Sequence, residues 1–395
     1  MAKRAKVLVL IMAGGEGGRM GVLTQRRSKP ALPFGGVYRL IDFALSNCAH
    51  SKMTDVWVIE QYQPHGLADH LANGRPWELD RTTGGLLILH PHQGGSGSGW
   101  HQGTADAVWR NREFIREFGP DVVMALSSDH LYTLDYRELI TAHTESGATV
   151  TMGTTEVDED EASRFGVVEA EGDRVTGYAY KPEEPATTTA TTEVFAFDTG
   201  ALLDTLDDLV EGDGADQGED SELEDFGTKL LPRLVDQGGA RALAQDGYWR
   251  DLGTPDSYFE GHRDLLEGRL DLGDPGWPIM TRALTHPPAA VTRSAEVHDS
   301  LLSSGCTVRG RVERSVLSPG VVVEEGAVVE DAILLPGAFV AGGAVVRRAI
   351  VDSQAKIEAD TEVGGDGPLT LIGMRAVVRT GQRVTPGESV DARGI

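Results

Sequence analysis

The chain has 395 residues, which is enough for two domains, because single hydrophobic cores rarely grow past about 250 to 300 residues. Its formal charge of −25 argues against nucleic acid or an anionic membrane as partner, because both surfaces repel an acidic protein. Two cysteines, Cys48 and Cys306, are too few for a disulfide framework or a metal site, and no apolar run reaches the roughly 20 residues of a membrane span, so we expect a cytoplasmic protein.

The N-terminal segment predicts a buried strand that leads into a phosphate-binding loop. The apolar run from Val7 to Met12 is followed by Ala13 and four glycines, namely Gly14, Gly15, Gly17 and Gly18. Glycines let backbone N–H groups approach phosphate oxygens, and Arg19 and Lys29 supply positive charge. The loop is neither the dinucleotide fingerprint nor a Walker loop, and a glycine cluster by itself is equally consistent with a tight turn.

Alternating segments predict a mostly parallel sheet. Val56 to Ile59 and Val122 to Leu126 are further apolar runs, and they alternate with helix-like segments at Ser46 to His50, Pro64 to Ala72 and Thr104 to Phe118. Ligands of such sheets bind at the carboxyl ends of the strands. The glycine loop and Asp129 both follow strand ends, so we expect them to meet at one cleft.

Loops and prolines divide the rest of the chain. Thr187 to Thr192 and Glu211 to Glu224 have the composition of exposed loops. Prolines at 275, 278, 287 and 288 interrupt regular structure and indicate a boundary. We therefore predict a catalytic domain at 1–275, a linker at 276–290 and a second domain at 291–395.

The second domain has an internal repeat. Aliphatic residues recur every six positions, and after a slip of one residue the period continues: Val316, Val322, Val328, Leu334, Val340 and Val346, then Val351, Ile357 and Val363. This period, with glycines 320, 326, 337 and 343 near the corners, predicts a parallel β-helix with inward-stacked aliphatics. Some acyltransferases share this fold, but no histidine or basic coenzyme-binding cluster follows His298, so we expect a structural, oligomer-forming domain.

Motifs in a characteristic order extend over nearly the whole chain: Lys29-Pro30, Asp42-Phe43, Ser46-Asn47-Cys48, Gln61-Tyr62-Gln63, Gly103-Thr104-Ala105-Asp106-Ala107, Asp129-His130, Phe165-Gly166-Val167, Lys181-Pro182, Asp225-Phe226-Gly227 and Tyr248-Trp249-Arg250-Asp251-Leu252-Gly253-Thr254. In these motifs the chain resembles the ADP-glucose pyrophosphorylases, a family of sugar-1-phosphate nucleotidylyltransferases. The resemblance implies an α/β fold, with a Rossmann-like nucleotidyltransferase domain followed by a left-handed parallel β-helix of hexapeptide repeats.

The resemblance also implies a reaction. A nucleoside triphosphate, ATP by default, would transfer its nucleotidyl group to glucose 1-phosphate, giving ADP-glucose and pyrophosphate. The expected cofactor is Mg²⁺, and the expected assembly is a homo-oligomer, a dimer or a tetramer, formed through the β-helix. The partners would thus be a nucleoside triphosphate, a sugar 1-phosphate and further copies of the chain.

Site residues follow from the matching motifs. Catalytic roles fall to Arg19, Lys29 and Asp129, and the Mg²⁺ ligands would be Asp129 and Asp251. Nucleotide binding is expected at Ala13, Gly14, Gly15, Gly17, Gly18, Gln61, Gly103, Thr104, Ala105 and Ser128. Sugar-phosphate binding is expected at Tyr180, Lys181, Thr191, Glu193 and Asp251.

Departures from the family pattern concentrate at the sugar end. Tyr180 stands where the family usually has glutamate, and Thr191-Thr192-Glu193 replaces Ser-Met-Gly. A buried carboxylate is costly unless paired, so Glu193 faces either a substrate amine or hydroxyl, or solvent. Two alternatives follow: the same reaction on another sugar, amino-sugar or cyclitol 1-phosphate, with GTP as a further option, or a non-catalytic regulatory subunit. The retained Asp129 and Asp251 argue against the regulatory reading.

Overall fold

The computed structural model describes residues 5–91, 100–212, 221–282 and 285–392. Within these ranges the N-terminal domain contains strands β1 (Val7–Ala13), β2 (Pro33–Phe34), β3 (Tyr38–Arg39), β4 (Asp55–Glu60), β5 (Gly85–Leu89), β6 (Val122–Ser127), β7 (His130–Tyr132), β8 (Val150–Glu156), β9 (Gly166–Glu171), β10 (Arg174–Tyr180), β11 (Thr189–Asp198), β12 (Ala240–Ala244) and β13 (Trp249–Asp251). The three predicted strands correspond to β1, β4 and β6.

The helices of the same domain are α1 (Ile41–His50), α2 (Pro64–Leu71), α3 (Thr104–Arg110), α4 (Arg112–Phe118), α5 (Tyr136–Ser146), α6 (Thr199–Gly212), α7 (Leu230–Asp236) and α8 (Pro255–Leu266). Helix α1 begins earlier than predicted, and the predicted helix from Thr104 to Phe118 is divided at Asn111, whose side chain donates to Ala107 O at 2.8 Å. In the part of the chain that the structure describes, no helix is long and apolar enough to cross a membrane.

Two predicted loops have different outcomes. The prediction of a threonine-rich loop is wrong for Thr189 to Thr192, because these residues begin β11. Strands favour β-branched side chains such as threonine. The acidic stretch from Glu211 to Glu224 begins with the last two residues of α6, and residues 213–220 lie outside the described part of the chain. The prediction of an exposed loop is wrong for Ser221 and Leu223, because both side chains are buried against the domain.

The main sheet of the described N-terminal residues has nine strands in the order β5-β4-β1-β6-β11-β8-β12-β10-β9. The first four pair in parallel, as predicted, whereas β11 runs antiparallel to both of its neighbours, β6 and β8. The sheet is therefore parallel in one half and mixed in the other. The carboxyl ends of β1 and β6 lie side by side, because Met12 pairs with Ser127. This edge carries the glycine loop and Asp129.

From Ala290 onward the chain forms a parallel β-helix with three faces. The first face consists of Ala290–Val291, Thr307–Val308, Val322–Val323, Phe339–Val340, Lys356–Ile357 and Val377–Val378. The other faces are built from Glu296–His298, Leu301–Leu302, Arg311–Glu313, Val316–Leu317, Val328–Leu334, Val345–Val351, Glu362–Gly364, Thr370–Ile372, Arg383–Val384 and Ser389–Val390. The fold class that the repeat predicts is confirmed.

The predicted register of the repeat is wrong at two positions. Val322 and Val328 are only half-buried, whereas Val323 and Val329 are fully buried in the core. The reason is the length of the central coils: from Val322 to Ile357, paired residues in successive coils are 17 positions apart, so each of these coils has two six-residue sides and one five-residue side. A uniform six-residue period therefore drifts by one residue per coil. The pairing distance is 15 residues in the preceding coil and 21 residues in the following one. The predicted corner glycines do have positive φ, from 71° to 80°.

Apolar side chains and one buried ion pair join the two domains. Ile333 and Ile350 of the β-helix belong to the same hydrophobic cluster as Leu23 and Phe34. Beside this cluster Arg27 Nη2 donates to the Asp352 carboxylate, and both residues are buried. The segment that precedes Lys29 is thus fixed to the β-helix.

The predicted linker also packs on the catalytic domain where it is described. Trp277 Nε1 donates to Asn47 Oδ1 at 2.8 Å, and Met280 N donates to Ser46 Oγ at 2.9 Å. Both partners lie on α1. The domain boundaries at 275 and 290 stay a prediction, and the first part of this segment is an ordered strap rather than a free tether.

Candidate active site

The glycine loop begins where β1 ends. Gly14 and Gly15 line a cavity of about 300 Å³. Gly17 has a φ of 68°, and a Cβ on it would lie 3.3 Å from Lys29 Cβ, so a glycine lets the loop pass close to the lysine stem. A 3₁₀ helix over Gly18–Leu23 follows and carries Arg19 to the cavity wall.

The two predicted metal carboxylates come together through β7 and β13. These short strands pair antiparallel with His130 opposite Asp251, which places Asp251 beside Asp129. Lys29 Nζ donates to Asp129 Oδ2 and lies 3.8 Å from Asp251 Oδ1. The structure thus brings three predicted site residues, far apart in sequence, into one cluster.

The charges in this cluster support one another. Burial opposes ionisation of Asp129, yet the Lys29 ammonium and His130 hold the pKa of this carboxyl well below its usual range. Burial also opposes the charge on Lys29, but Asp129 and Asp251 raise the pKa of the lysine above its ordinary value. Both groups are therefore ionised at neutral pH.

The carboxylates fit a divalent cation. Asp129 and Asp251 offer hard oxygen ligands, which Mg²⁺ prefers. The position between them already attracts positive charge, since Lys29 Nζ lies there. A bound cation and the lysine would share the two carboxylates.

His130 is a member of this cluster that we did not predict as a site residue. Its Nδ1 lies 3.1 Å from Thr192 O, a distance that suits an N–H donor to this carbonyl. With Nδ1 as donor to this carbonyl, Nε2 faces the carboxylates, 3.5 Å from Asp251 Oδ1 and 3.7 Å from Asp129 Oδ1, where a proton is favoured. Burial lowers the basicity of the ring, but Asp129, Glu193 and Asp251 together raise the pKa of His130 above its ordinary value.

The predicted sugar-phosphate residues Tyr180 and Lys181 form another part of the cavity lining. Lys181 Nζ donates to the Tyr180 hydroxyl at 2.8 Å, and this hydroxyl donates to Asp225 Oδ2 at 2.8 Å. The Tyr180 ring lies against Gly227, where a Cβ would be 2.1 Å from ring atom Cδ2. Burial and the adjacent Asp225 raise the pKa of Tyr180 above its usual range, so the phenol stays protonated.

Five of the ten predicted nucleotide-binding residues line the cavity. The cavity is lined by Gly14, Gly15, Gly103, Thr104 and Ser128, whereas Ala13, Gly17, Gly18, Gln61 and Ala105 do not line it. The Gln61 side chain is buried, and its amide exchanges two hydrogen bonds with the backbone of His101, at 3.1 and 2.5 Å. In this structure Gln61 positions the segment before α3.

Gly103 has a steric role. A Cβ on this residue would lie 2.3 Å from the carbonyl carbon of Glu224, so only glycine lets the 224–225 segment pass. That segment is held by Thr104, whose hydroxyl accepts a hydrogen bond from Phe226 N at 2.9 Å. The nucleotide and sugar ends of the cavity are therefore linked through one loop.

All five predicted sugar-end residues line the cavity: Tyr180, Lys181, Thr191, Glu193 and Asp251. Sequence reasoning missed Arg164, whose Nη2 lies 3.4 Å from Asp251 Oδ2, and also Tyr178 and Asp225. Arg164 directly precedes the Phe165-Gly166-Val167 motif, so its adjacency to a motif was the available signal. Tyr178 was detectable from alternation in β10, because it shares a face with Tyr180.

Transfer of a nucleotidyl group requires cations for the phosphate chain and a paired carboxylate centre beside them, and this cavity has both at the strand ends of an α/β sheet. The fold and the site thus define a nucleotidyltransferase with a hexapeptide-repeat domain. Comparison with family models agrees: residues 8–268 match the nucleotidyl transferase family, and residues 287–369 match the GlmU-like C-terminal hexapeptide family. The chain belongs to the nucleotidyl transferase family.

Several individual relatives within this family are similar in sequence to the chain. The chain is 40% identical to a glucose-1-phosphate adenylyltransferase of Thermosipho africanus over 82% of this chain and 77% of that protein. A protein of the same name from Thermomicrobium roseum is 45% identical over 76% of this chain and 70% of its own length. One from Clostridioides difficile is 39% identical over 82% and 84%, respectively.

Proposed function

We propose that this chain transfers AMP from ATP to glucose 1-phosphate, giving ADP-glucose and pyrophosphate. The observation that carries the proposal is the common cavity: Lys29, Asp129 and Asp251 form a charged centre at one end, and Lys181 borders the other. The choice of ATP and glucose 1-phosphate rests on the names of the relatives.

The reaction asks for positioning and charge rather than for a general base. A phosphate oxygen of the sugar 1-phosphate, already anionic, forms a bond to the α-phosphorus of ATP. The bond from this phosphorus to the bridging oxygen of the β-phosphate breaks, and pyrophosphate leaves with the electron pair. Alignment of the two phosphates and stabilisation of the developing charge therefore account for the catalysis.

The residues divide this work between them. Arg19 and Lys29 bind the phosphate chain of ATP and the departing pyrophosphate, and Lys181 binds the phosphate of the sugar. Asp129 and Asp251 would hold a divalent cation, Mg²⁺ in our proposal. When bound, that ion neutralises charge on the reacting phosphates.

A second candidate keeps the reaction but changes the sugar. Two observations favour it: Tyr180 fills space beside Gly227, and Glu193 adds a carboxylate to the cavity. The 1-phosphate of another sugar, amino sugar or cyclitol, with GTP as an alternative donor, is therefore part of the test. A non-catalytic subunit is disfavoured by the intact cluster of Lys29, Asp129 and Asp251.

We also propose self-association through the β-helix. Its first coil exposes Val291 and Leu301, which are 53% and 41% accessible, respectively. A second copy covering this end would remove both side chains from water. We expect light scattering to show a dimer or a tetramer. The double variant Val291→Glu with Leu301→Glu should form a smaller species. The cytoplasmic location stays a prediction.

The experiment for the proposed reaction uses purified protein with Mg²⁺, inorganic pyrophosphatase, each of the four nucleoside triphosphates and a panel of sugar 1-phosphates. Phosphate release is followed, with Asp129→Ala as the inactive control. ATP with glucose 1-phosphate should give turnover that the control lacks. Turnover with a different pair only would establish the second candidate, and no turnover with any pair would contradict both in favour of a regulatory subunit.

A further inference from the structure

Strand β11 departs from regular pairing beside the cavity. Thr191 pairs with Thr154 of β8 and Phe195 pairs with Met152, so residues 192–194 stand opposite Gly153 alone. A Cβ on Gly153 would lie 2.7 Å from Thr192 Oγ1, which shows how closely the bulged segment approaches β8. Bulges next to active sites redirect side chains. Here the bulge places Glu193 in the cavity wall.

The backbone at Glu193 is unusual for its residue type. Its φ is 55°, in the left-handed region where glycine is preferred and a glutamate is strained. Such strained positions occur where the side chain is needed at a functional site. The left-handed conformation, together with the place of Glu193 in the cavity wall, indicates a role for its carboxylate.

The Glu193 carboxylate lies close enough to Asp129, Asp251 and Lys181 for the charge of each to affect its pKa. His130 Nε2 is 3.8 Å from its Oε2. Burial raises the pKa of Glu193. The positive charges of His130 and Lys181 oppose this shift, and the negative charge of Asp129 adds to it. Among the described residues, no donor lies within hydrogen-bond distance of this carboxylate. Its oxygen atoms can therefore accept hydrogen bonds from a molecule bound in the cavity.

The neighbouring acidic group is already used. Asp225 accepts hydrogen bonds from the Tyr180 hydroxyl at 2.8 Å and from Thr104 N at 3.3 Å. Lys181 Nζ is hydrogen-bonded to the same Tyr180 hydroxyl. Asp225 thus has one hydrogen bond on each oxygen, whereas the Glu193 carboxylate has none among the described residues and offers more room for a substrate donor.

We propose that Glu193 accepts a hydrogen bond from a ring substituent of the sugar 1-phosphate, and that it thereby admits amino-sugar 1-phosphates as acceptors in addition to glucose 1-phosphate. A hydrogen bond between an ammonium and a carboxylate is stronger than one from a neutral hydroxyl. An ammonium also compensates the negative charge that Glu193 adds beside Asp129 and Asp251. The inference rests on the proposed function, because it concerns the acceptor of the same site.

The test measures binding and turnover separately. Calorimetry at neutral pH, with Mg²⁺ and α,β-methylene-ATP, compares glucosamine 1-phosphate, N-acetylglucosamine 1-phosphate and glucose 1-phosphate. The variants are Glu193→Gly, which suits the left-handed backbone, and Glu193→Gln, which keeps the shape and removes the charge. Glu78→Gly is the matched control, because Glu78 has a φ of 58° and is exposed outside the cavity.

The expected result is selective. Glu193→Gly and Glu193→Gln weaken glucosamine 1-phosphate binding by about tenfold to a hundredfold and glucose 1-phosphate by about threefold or less, while Glu78→Gly changes neither. Equal effects on both sugars, no effect, or a wild type that binds none of the 1-phosphates would overturn the inference. If the wild type binds these 1-phosphates but turns over none of them with ATP, the proposed function is contradicted. The ratio of binding constants between variant and wild type still tests the role of Glu193 in that case.

Discussion

In the β-helix, left-handed backbone conformations recur once per coil at the same corner, at Asp299, Arg314, Asp331 and Arg348, with φ between 43° and 46°. In the cavity they are isolated, at Lys181 and Glu193, with φ of 48° and 55°. The repeated positions turn the chain between two faces, whereas Lys181 and Glu193 lie in the cavity wall. Repetition therefore marks an architectural use of left-handed backbone, and the place in the cavity wall distinguishes Lys181 and Glu193 from isolated surface positions such as Glu78.

The same difference holds for side chains. The inward column of the β-helix consists of interchangeable aliphatic residues that contribute only burial. The cavity contains charged residues that depend on their partners. Substitutions in the β-helix should thus change the free energy of unfolding, and substitutions in the cavity should change the kinetics. The predictions below test this separation.

The largest effect is expected for Asp251→Asn. The change removes the charge of one of the two proposed metal ligands and keeps its shape, so kcat should fall about 10³-fold, corresponding to several kcal/mol of lost charge stabilisation. Thermal unfolding should change little. Steady-state kinetics and calorimetry check both values, and a fall in kcat below tenfold would remove Asp251 from the metal site.

Arg27→Ala tests the junction at which the two regions meet. It leaves the buried Asp352 carboxylate without its partner, which should cost about 4 kcal/mol of unfolding free energy at pH 7. Burial raises the pKa of Asp352, and Arg27 opposes that shift. In the variant the carboxyl is protonated more readily, so the loss should shrink as the pH falls toward the ordinary aspartate range near about 4.

Urea denaturation at several pH values measures this dependence. The matched control is the double variant Arg27→Met with Asp352→Leu, which removes both charges and should recover most of the stability. A loss for Arg27→Ala that stays constant between pH 4 and 7 would show that lost packing, not the unpaired charge, is responsible.

Val323→Ala and Val322→Ala form a matched pair on one strand of the β-helix. Val323 is fully buried, so its truncation should cost about 2 kcal/mol, whereas the half-buried Val322 should cost well under about 1 kcal/mol. Neither should change kcat. Equal losses in urea denaturation would contradict the 17-residue register.

The smallest effect is expected for Arg164→Gln. Arg164 Nη2 lies 3.4 Å from Asp251 Oδ2 and is partly exposed, so its loss should change kcat/KM about threefold to tenfold through the orientation of Asp251. Arg174→Gln, at an exposed position on β10 outside the cavity wall, serves as the control. A 10³-fold loss would instead place Arg164 on the reacting phosphates.

Local signals were sufficient for much of the fold. The apolar runs of β1, β4 and β6 and the aliphatic repeat were predicted because burial imposes period and composition on the sequence. The register at Val323 and Val329 was missed, because a five-residue side of a coil looks like a single slip in a six-residue pattern. The antiparallel placement of β11 was missed for a different reason: pairing partners are set by tertiary packing.

The site shows the same limit. Asp129, Lys29 and Asp251 were placed by their motifs; the β7–β13 pair brings the two carboxylates together, and Lys29 reaches them from the segment before β2. The orientation of Glu193 was left open, because a two-residue surplus in β11 and a left-handed φ leave no mark in composition. Arg164 was missed although it directly precedes a motif, because its contact with Asp251 depends on the approach of a distant strand end.

The ion pair of Arg27 with Asp352 has a practical consequence. A fragment that ends near residue 275 would keep Arg27 but lose its counter-charge, and Leu23 and Phe34 would lose the apolar cover of Ile333 and Ile350. The stretch that supplies Arg19 and Lys29 would then be unsupported on one side. We consequently expect the N-terminal domain not to be stable in a chimera by itself. A chimera that contains this domain must also contain the β-helix coils that pack against the segment from Leu23 to Phe34.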